Sequence, residues 1–342
     1  MEADSTTYDC NLESLLTEAS FPFIVSPRNL KLYKDLTEDC GRGNIESQIV
    51  ERLQNLGLLV KNVKCLSGKP ECRPVCKSAR VIDRVQWVCE VCGVRQAVRM
   101  ESFFLKVQCS ILQTLQIVFA WCEDADFEVA AQHFGVKPKV ASNIYDKLDS
   151  VTAKEQEKCM LGGENSVVLV EMYPDCLTRL SPDTTDQPNV HKIVMLADTN
   201  NIPTSYSLHV LKEYSRRTNN NPTLYNQALK ADLEEIIFNV ALPNSLIVTC
   251  NNVPPLEGAC SIQHLVQRCD ADMQHFLTSR IWRSALSLCA ASRDLGAGGG
   301  GAAGGAVQRY LNAALFRRRH AGALFGRALD LLRAARAPPA EC

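Results

Sequence analysis

Residues 65–104 read CLSGKPECRPVCKSARVIDRVQWVCEVCGVRQAVRMESFF, and five cysteines fall within the first 28 of them. Cys89 and Cys92 form a C-x2-C pair directly behind a tryptophan, and three further cysteines precede them. Structural zinc sites take four tetrahedral thiolate or imidazole ligands, and two cysteines on one tight turn supply two of these without backbone strain. This spacing predicts a zinc ribbon with one structural zinc ion.

The first half of the zinc site is less well defined than the second. We expect Cys72, Cys89 and Cys92 to be ligands. The fourth is Cys76, in a compact C-x3-C arrangement, or Cys65, which needs a longer loop to reach Cys72. The alternative to a metal site is a set of reduced, buried cysteines that pack as small hydrophobic side chains.

Charge is distributed unevenly around this module. The whole chain has a net charge of −1, but residues 61–108 hold ten lysines and arginines against four acids. A locally positive module suits the approach of a phosphate backbone, and Arg95 and Arg99 are the ribbon residues that we expect to contact DNA. The alternative is that these charges only solvate a small exposed module.

Composition limits the class of protein. The chain is 46% hydrophobic and 22% charged, as in ordinary soluble domains. Sixteen cysteines would indicate disulfides in a secreted chain, but residues 1–20 are acidic and polar and lack a signal-peptide pattern. We therefore expect a reducing, intracellular compartment. The most apolar helical window, residues 111–122, is too short to span a membrane, so no membrane partner is expected.

The ribbon is preceded by a leader and a helix. Residues 1–43 show no long periodic pattern, and Pro22 and Pro27 interrupt them, which predicts a partly ordered leader. From Asn44, apolar residues recur at helical spacing until Gly57, which stands where a left-handed residue would end the helix. Residues 44–104 thus form a lead-in helix and the ribbon, in which residues 80–88 and 94–100 are the predicted strands.

Residues 105–160 are predicted to be helical and to contain a helix-turn-helix. Gly135 falls in the turn, and Pro138 suits the first position of the second helix. Off the apolar stripe, near the start of that helix, lie the residues that we expect to contact DNA: Lys137, Lys139, Ser142 and Asn143. Helix pairs of this kind also occur in plain bundles, and residues 123–158 hold eight acids against five lysines.

Residues 161–294 are predicted to form an α/β domain with a mixed sheet. Three β-rich runs, VVLVEMY, HKIVMLADT and PTSYSLHVL, are followed by a helix at about residues 221–239 and a fourth strand, SLIVTC. Further helices are expected at residues 264–269 and 273–290. Residues 295–306 are a predicted Gly/Ala linker, and residues 307–342 a basic Arg/Ala-rich tail that forms a helix.

The order of these parts resembles the Merlin-type cut-and-paste transposases and their bacterial insertion-sequence relatives. The resemblance rests on Gly57-Leu58-Leu59, on Trp87-Val88-Cys89, on the R-x-x-S-F-F phrase of residues 99–104, and on the helix-turn-helix ahead of a β-rich domain. It covers roughly residues 45–290. It implies an α+β multidomain chain in which the zinc ribbon and helix-turn-helix precede a ribonuclease-H-like α/β domain.

Such transposases hold two metal ions with two Asp and a final Glu or Asn. Matching the family's phrases residue by residue places Glu171 at or beside the first Asp, Cys250 at the second, and Ser279 at the final acid. Cysteine thiolate is a poor ligand for Mg²⁺, which prefers oxygen, so Mg²⁺ is not expected to bind well. The resemblance implies a nuclear, catalytically inactive DNA-binding protein derived from a transposase. The alternatives are a protein-interaction scaffold and a residually active transposase or nuclease, and homo-oligomerisation stays open.

Overall fold

The computed structural model describes residues 21–41, 43–173, 192–198, 205–212, 222–250, 252–266, 285, 288 and 303–335. The chain divides into two compact units, one formed by residues 1–152 with 317–342 and the other by residues 153–316. The fold is mixed α/β, with nine α-helices and a five-stranded mixed sheet in the described residues. No helix in these ranges is long and apolar enough to cross a membrane.

The first unit combines helices with a small sheet. Its elements are α1 (Pro27–Thr37), α2 (Ile45–Asn55), β1 (Pro74–Ser78), β2 (Val85–Cys89), β3 (Arg95–Gln96), α3 (Ile111–Cys122), α4 (Phe127–His133), the first part of α5 (Pro138–Glu157), and α9 (Leu324–Ala334). Helix α2 confirms the predicted lead-in helix, with Asn44 as its N-cap and Gly57 at φ +73° just after its end.

Helix α1 lies inside the segment predicted to be a partly ordered leader, residues 1–43, in which no helix of this length was predicted; residues 1–20 lie outside the described part. Pro27 is the first residue of this helix, a position where a missing N–H costs no hydrogen bond. Leu30, Tyr33 and Leu36 are buried. The Tyr33 ring stacks on Phe119 of α3 at 4.4 Å between ring centroids. The segment is therefore part of the core of the first unit.

The ribbon sheet has the strand order β1-β2-β3, with both pairs antiparallel. Strands were predicted at residues 80–88 and 94–100, and the structure places the strands of the ribbon at partly different residues. Residues 79–84 form the turn between β1 and β2, and the return strand is only two residues long. Strand β1 was not predicted, because its residues are exposed or half-buried and show no apolar alternation.

The helices after the ribbon follow strong local signals. Helix α3 begins at Ile111, because Ser110 and Gln113 form a reciprocal capping box there. The predicted helix pair is present as α4 and α5, with Gly135 at φ +62° between them and Pro138 as the first residue of α5. Two helices and a turn are thus present where they were predicted; the helix-turn-helix assignment and its role on DNA stay predictions.

The C-terminal segment is packed, in contrast to the predicted linker and tail. Residues 295–302 lie outside the described part, but Ala303 already begins helix α8 (Ala303–Arg319), in which Val307 and Leu311 are fully buried. Helix α9 places Phe325 against Phe119, at 5.6 Å between ring centroids. The backbone N–H of Phe325 also donates to Asn29 Oδ1 at 3.1 Å. Arginines on the exposed sides of these helices make the segment basic in composition, and the apolar stripe between them was therefore not recognised in the sequence.

The second unit is built on the five-stranded sheet. Its further elements are β4 (Val167–Tyr173), β5 (Ile193–Asp198), β6 (Ser205–Val210), α6 (Pro222–Val240), β7 (Leu246–Thr249), β8 (Cys260–Ser261), α7 (Ile262–Val266) and α8. The strand order is β6-β5-β4-β7-β8, antiparallel from β6 to β4 and parallel from β4 to β8. The four predicted strands and the predicted α6 are confirmed. The helix predicted at residues 273–290 lies almost wholly outside the described residues.

Candidate metal centre

Four cysteines of the ribbon lie together: Cys65, Cys72, Cys89 and Cys92 have their sulfur atoms within 4.8 Å of one another. Cys92 Sγ is 3.4 Å from Cys65 Sγ and 3.6 Å from Cys72 Sγ. Tetrahedral Zn–S bonds of about 2.3 Å place ligand sulfurs about 3.8 Å apart. The cluster thus has the chemistry and dimensions of a four-thiolate metal site and could hold a metal such as zinc.

The second pair of ligands sits on a tight turn after β2. Gly93, at φ +73°, lets its N–H return to the carbonyl of Cys89 at 2.9 Å. The backbone N–H groups of Cys92 and Val91 lower the pKa of Cys89. The Ser67 hydroxyl and the backbone N–H of Val94 lower the pKa of Cys92 to about 6. Amide and hydroxyl donors therefore favour the thiolate form that binds metal.

The first pair of ligands is carried by the longer loop between α2 and β1. One turn is closed by Gly68 N–H donating to the Cys65 carbonyl at 3.0 Å, with Gly68 at φ +67°. A second turn is closed by Cys72 N–H donating to the Lys69 carbonyl at 3.2 Å. Gln96 Nε2 donates to the carbonyl of Lys64 at 3.0 Å and ties this loop to β3. Two short turns are how the six intervening residues bring Cys65 beside Cys72.

Cys76, the compact candidate for the fourth ligand, is not a member of this cluster. It lies in β1 opposite Trp87 of β2 in the antiparallel register, and desolvation raises the pKa of its thiol. A residue in the middle of a paired strand cannot turn toward the cluster at the strand end. The structure brings in Cys65 instead, which corrects the ligand set that includes Cys76.

Ser67 is a functional candidate that the sequence reasoning missed. Its hydroxyl lies 3.2 Å from Cys65 Sγ, 3.0 Å from Cys72 Sγ and 3.5 Å from Cys92 Sγ. A hydroxyl beside three sulfurs orients ligands and stabilises their thiolates, as outer-shell donors do in metal sites. Its position between Cys65 and Gly68 is the only sequence signal that could have indicated this role.

Without a cation, the cysteines of the cluster do not all favour the same protonation state, because the pKa is raised for Cys72 and lowered for Cys89 and Cys92. Although the Ser67 hydroxyl favours its thiolate, desolvation and the neighbouring sulfurs raise the pKa of Cys72 to about 12. Like charges this close cannot all be present together unless a cation balances them. Metal binding to this cluster would therefore release protons and depend on pH.

Arg99 was expected to contact DNA, and the structure corrects this. Its guanidinium donates through Nε to Asp83 Oδ2 at 2.7 Å and through Nη2 to Asp83 Oδ1, and both side chains are only 6% exposed. It also donates to the carbonyls of Val107 at 2.8 Å and Cys109 at 2.7 Å. Arg99 is thus the residue that fastens the turn between β1 and β2 to the segment before α3.

The rest of the R-x-x-S-F-F phrase has the same structural role. Ser102 Oγ donates to the Arg99 carbonyl at 2.6 Å, and Phe104 is fully buried. The ammonium group of Lys147 lies 5.6 Å from the centre of the Phe103 ring. This phrase therefore joins the ribbon to α5 and carries no exposed reactive group of its own.

The ribbon surface remains strongly cationic without Arg99. Nine of the ten lysines and arginines in residues 61–108 are exposed, including Arg95, and Asp83 is buried in the pair with Arg99. One of these charges is partly balanced by the exposed Lys77–Glu90 ion pair, at 3.0 Å. The positive field predicted from the sequence thus lies on the surface of the module.

The predicted DNA-contacting residues of the helix pair lie at the start of α5. Lys137, Lys139 and Asn143 are exposed and Ser142 is half-buried. The Lys137 carbonyl accepts the N–H of Val140 at 2.8 Å and so begins the helix. These side chains are available to solvent, but nothing in the fold assigns them a partner.

Two of the three positions matched to a transposase triad are neighbours on the large sheet. Glu171 lies in β4 and Cys250 directly follows β7, with Cys250 N–H donating to the Val170 carbonyl at 3.0 Å. Each is only 7% exposed. Ser279 lies outside the described residues. In those residues, the cysteine cluster is the only group of three or more His, Cys, Asp or Glu side chains placed to share a metal ion.

Asp198, at the end of the second strand of the large sheet in chain order, does not complete a metal site with Glu171 and Cys250. It lies at the end of β5, and its Oδ2 accepts the N–H of Gly162 at 3.1 Å. Alternation along β5 places it with Val194 and Leu196, on the face opposite to Leu169 and Cys250. Its carboxylate therefore stabilises the turn before β4.

No protein-family model matches this chain, and neither a curated protein nor a solved structure shows significant similarity to it. Its function must therefore be argued from its own residues.

Proposed function

We propose that this chain is a transposase-derived DNA-binding protein of the nucleus, with one structural zinc ion in the ribbon and no phosphodiester chemistry in the sheet unit. The observation that carries the proposal is the set of nine exposed cationic side chains on a module centred on four clustered cysteines. The cysteines would hold zinc and fix the loops, and the cations would contact phosphates. Cys65, Cys72, Cys89 and Cys92 are the proposed zinc ligands.

The sheet unit supports a ribonuclease-H-like ancestry. The family's P-G-S turn corresponds to Pro243-Asn244-Ser245, and Asn244 has φ +66°, a backbone region that glycine favours and asparagine tolerates. Glu171 and Cys250 stand on neighbouring parallel strands, as matched positions of a shared metal site should. Because a thiol replaces the second carboxylate, the ligands for two Mg²⁺ ions are incomplete.

The proposal is tested by the salt dependence of DNA binding. Fluorescence anisotropy with the full chain and a short labelled duplex should show log K falling linearly with log salt concentration. Replacing Arg73 and Arg95 with Ala should reduce the magnitude of that slope by up to about 2, since each phosphate contact contributes about 0.9. The matched control replaces Arg28 and Lys31, two exposed bases of α1, and should leave the slope unchanged. A flat salt response overturns the proposal.

A protein-interaction scaffold is the second candidate, and one surface favours it. On α6, Phe238 is 83% exposed, so that its aromatic ring is open to solvent and available to a partner. Partners recovered with the chain after nuclease treatment, and lost on Phe238→Ser, would favour this function. Strand cleavage with Mg²⁺ or Mn²⁺ that is lost on Glu171→Gln would instead indicate a residual nuclease.

A further inference from the structure

The tip of the ribbon hairpin, residues 79–84 between β1 and β2, places apolar and cationic side chains side by side on the surface. Val81 is 40% exposed and Ile82 is 54% exposed. Arg80 and Arg84, one on each side of them in the chain, are exposed as well. Turns of this kind are usually built from Gly, Pro, Asn, Asp and Ser, so the geometry of the turn does not account for two adjacent β-branched apolar residues.

The hairpin tip is held in one arrangement by hydrogen bonds. The Ala79 N–H donates to the Arg84 carbonyl at 2.8 Å and closes the loop at its base. The Arg84 N–H donates to the Val81 carbonyl at 3.0 Å and closes the turn at its end. Asp83, the residue after Ile82, is fixed by the buried pair with Arg99. A partner that binds this tip therefore does not have to order it, which reduces the entropy lost on binding.

The charge of the hairpin tip is wholly positive toward solvent. Asp83 is the one acid in residues 79–84, and its side chain is only 6% exposed and balanced by Arg99. No carboxylate of the tip is thus left at the surface to repel an anion. Arg80 and Arg84 can approach a phosphate backbone from either side of the two apolar residues.

Arg84 also has a backbone conformation that arginine rarely adopts. Its φ is +58°, in the left-handed region where glycine is the least strained residue. An arginine at this position supplies a charge at the cost of backbone strain. Non-glycine residues held in this region are found preferentially at functional sites, and this one stands beside the exposed apolar pair.

We propose that the hairpin tip binds duplex DNA from the minor groove, where Val81 and Ile82 insert between base pairs. Apolar side chains inserted in this way unstack a base step and bend the duplex, and the negative potential of a narrow minor groove attracts arginine. The major groove is read by hydrogen bonds to base edges, which neither apolar side chain can make and for which the Asp83 carboxylate is not available. The inference rests on the proposed DNA-binding function and adds the groove and the inserted residues.

The first test is a double variant, Val81→Ser with Ile82→Ser, in the full chain. Its affinity for a short labelled duplex should fall roughly tenfold, because two partly exposed apolar side chains no longer become buried on binding. The slope of log K against log salt concentration should not change, since apolar contacts release no counterions. The matched control is Leu224→Ser in α6, where Leu224 is 50% exposed, and it should keep the full affinity. Melting temperatures of all three proteins should agree, because each change is at an exposed side chain.

The groove and the insertion are tested separately from affinity. Netropsin, which occupies the minor groove, should displace the chain from the duplex, and methyl green, which occupies the major groove, should not. A duplex that contains 2-aminopurine should become more fluorescent when the wild-type chain unstacks it, and the double variant should lose this increase. Displacement by methyl green alone, or an equal fluorescence increase in both proteins, would overturn the inference.

Arg84→Gly separates the charge of the tip from its fold. Glycine adopts a positive φ without strain, so the melting temperature should stay equal or rise. The magnitude of the salt slope should fall by up to about 0.9, as expected for one phosphate contact. An unchanged slope would contradict the assigned position of Arg84.

Failure of this inference can be told apart from failure of the proposed function. If the wild-type chain binds DNA and the double variant binds equally well, the hairpin tip is not inserted, although DNA binding stands. If the wild-type chain does not bind DNA, both are overturned. If vesicles of phosphatidylserine and phosphatidylcholine bind the wild-type chain but not the double variant, while DNA binding is equal, the tip contacts a lipid surface and the inference is again overturned.

Discussion

The carboxylate of Asp83 and the guanidinium of Arg99 form a buried two-point ion pair across the ribbon, 16 residues apart in the chain. Asp83 interrupts an otherwise apolar alternation and Arg99 begins the R-x-x-S-F-F phrase, yet neither faces solvent. The pair links the turn between β1 and β2 to the segment that enters α3. It therefore sets how the cationic module is attached to the helices behind it.

Arg99→Met should destabilise the first unit by about 3–5 kcal/mol, because it leaves the Asp83 carboxylate buried without a counter-charge. Arg95→Met, at an exposed arginine four residues earlier, should change the free energy of unfolding by less than about 0.5 kcal/mol. Denaturant unfolding followed by tryptophan fluorescence measures both. The Asp83→Leu, Arg99→Met double variant should recover part of the loss; if it is as unstable as the single variant, the pair does not couple.

Cys65→Ser should reduce bound zinc to well below one ion per chain, since it removes one of four ligands. Cys76→Ser should retain the full amount, because Cys76 lies in β1 outside the cluster. Zinc content of the purified protein by atomic emission distinguishes the two variants. Equal retention in both, or loss only in Cys76→Ser, would contradict the assigned ligand set.

Buried His209 should make the second unit less stable in acid. Its folded pKa, about 4, is below the ordinary value of 6.5, so the unfolded chain binds more protons between these values. Its contribution is fully present above pH 6.5 and is lost as the pH falls toward 4, by about 2–3 kcal/mol at pH 4.5. His209→Gln should flatten this part of the pH dependence of unfolding. The exposed His264 is the control, and His264→Gln should leave the dependence as it is.

Gly162→Ala should destabilise the turn before β4 by more than the backbone strain that replacing a left-handed glycine causes. Gly162 has φ +84°, and an added Cβ would lie 2.3 Å from Ser245 Oγ and 2.7 Å from Val168 Cγ2. Gly258, at φ +74°, has no atom within 4 Å of an added Cβ. Gly258→Ala should cost about 1–2 kcal/mol from backbone strain, and Gly162→Ala about 1–3 kcal/mol more from overpacking. Thermal unfolding of the two variants gives the comparison, and equal losses would show that the turn adapts.

The elements predicted correctly have strong local patterns. Strand β5 is a continuous apolar run that is buried along its whole length, and α2 has apolar spacing, an N-cap and a terminal glycine. Helix α1 was missed because a proline that ends one pattern can also begin a helix, and this depends on the partner surface. Helix α9 was taken for a basic tail because its buried face is recognised only once Asn29 and Phe119 are in place.

The cysteine cluster was predicted in part for a similar reason. The C-x2-C pair is a local signal, since Gly93 and the turn hydrogen bonds fix it within a few residues. The choice between Cys65 and Cys76 depends on strand pairing, which a spacing rule does not contain. Arg99 was assigned to DNA from its charge, and only the burial of Asp83 shows where that charge is balanced.

The docking of α9 against α1 and α3 has a consequence for the order in which the chain is made. Helix α3 precedes α9 by about two hundred residues and α1 precedes it by nearly three hundred. At 5–20 residues per second, the ribosome therefore adds α9 on the order of 10–40 s after α3. Until then, the Phe119 ring and the Asn29 side chain lack their contacts with Phe325. The residues of the second unit have all been synthesised by that time. The N-terminal unit is thus the last to be completed, and a translation product that stops before Phe325 would leave its apolar surface open to chaperones.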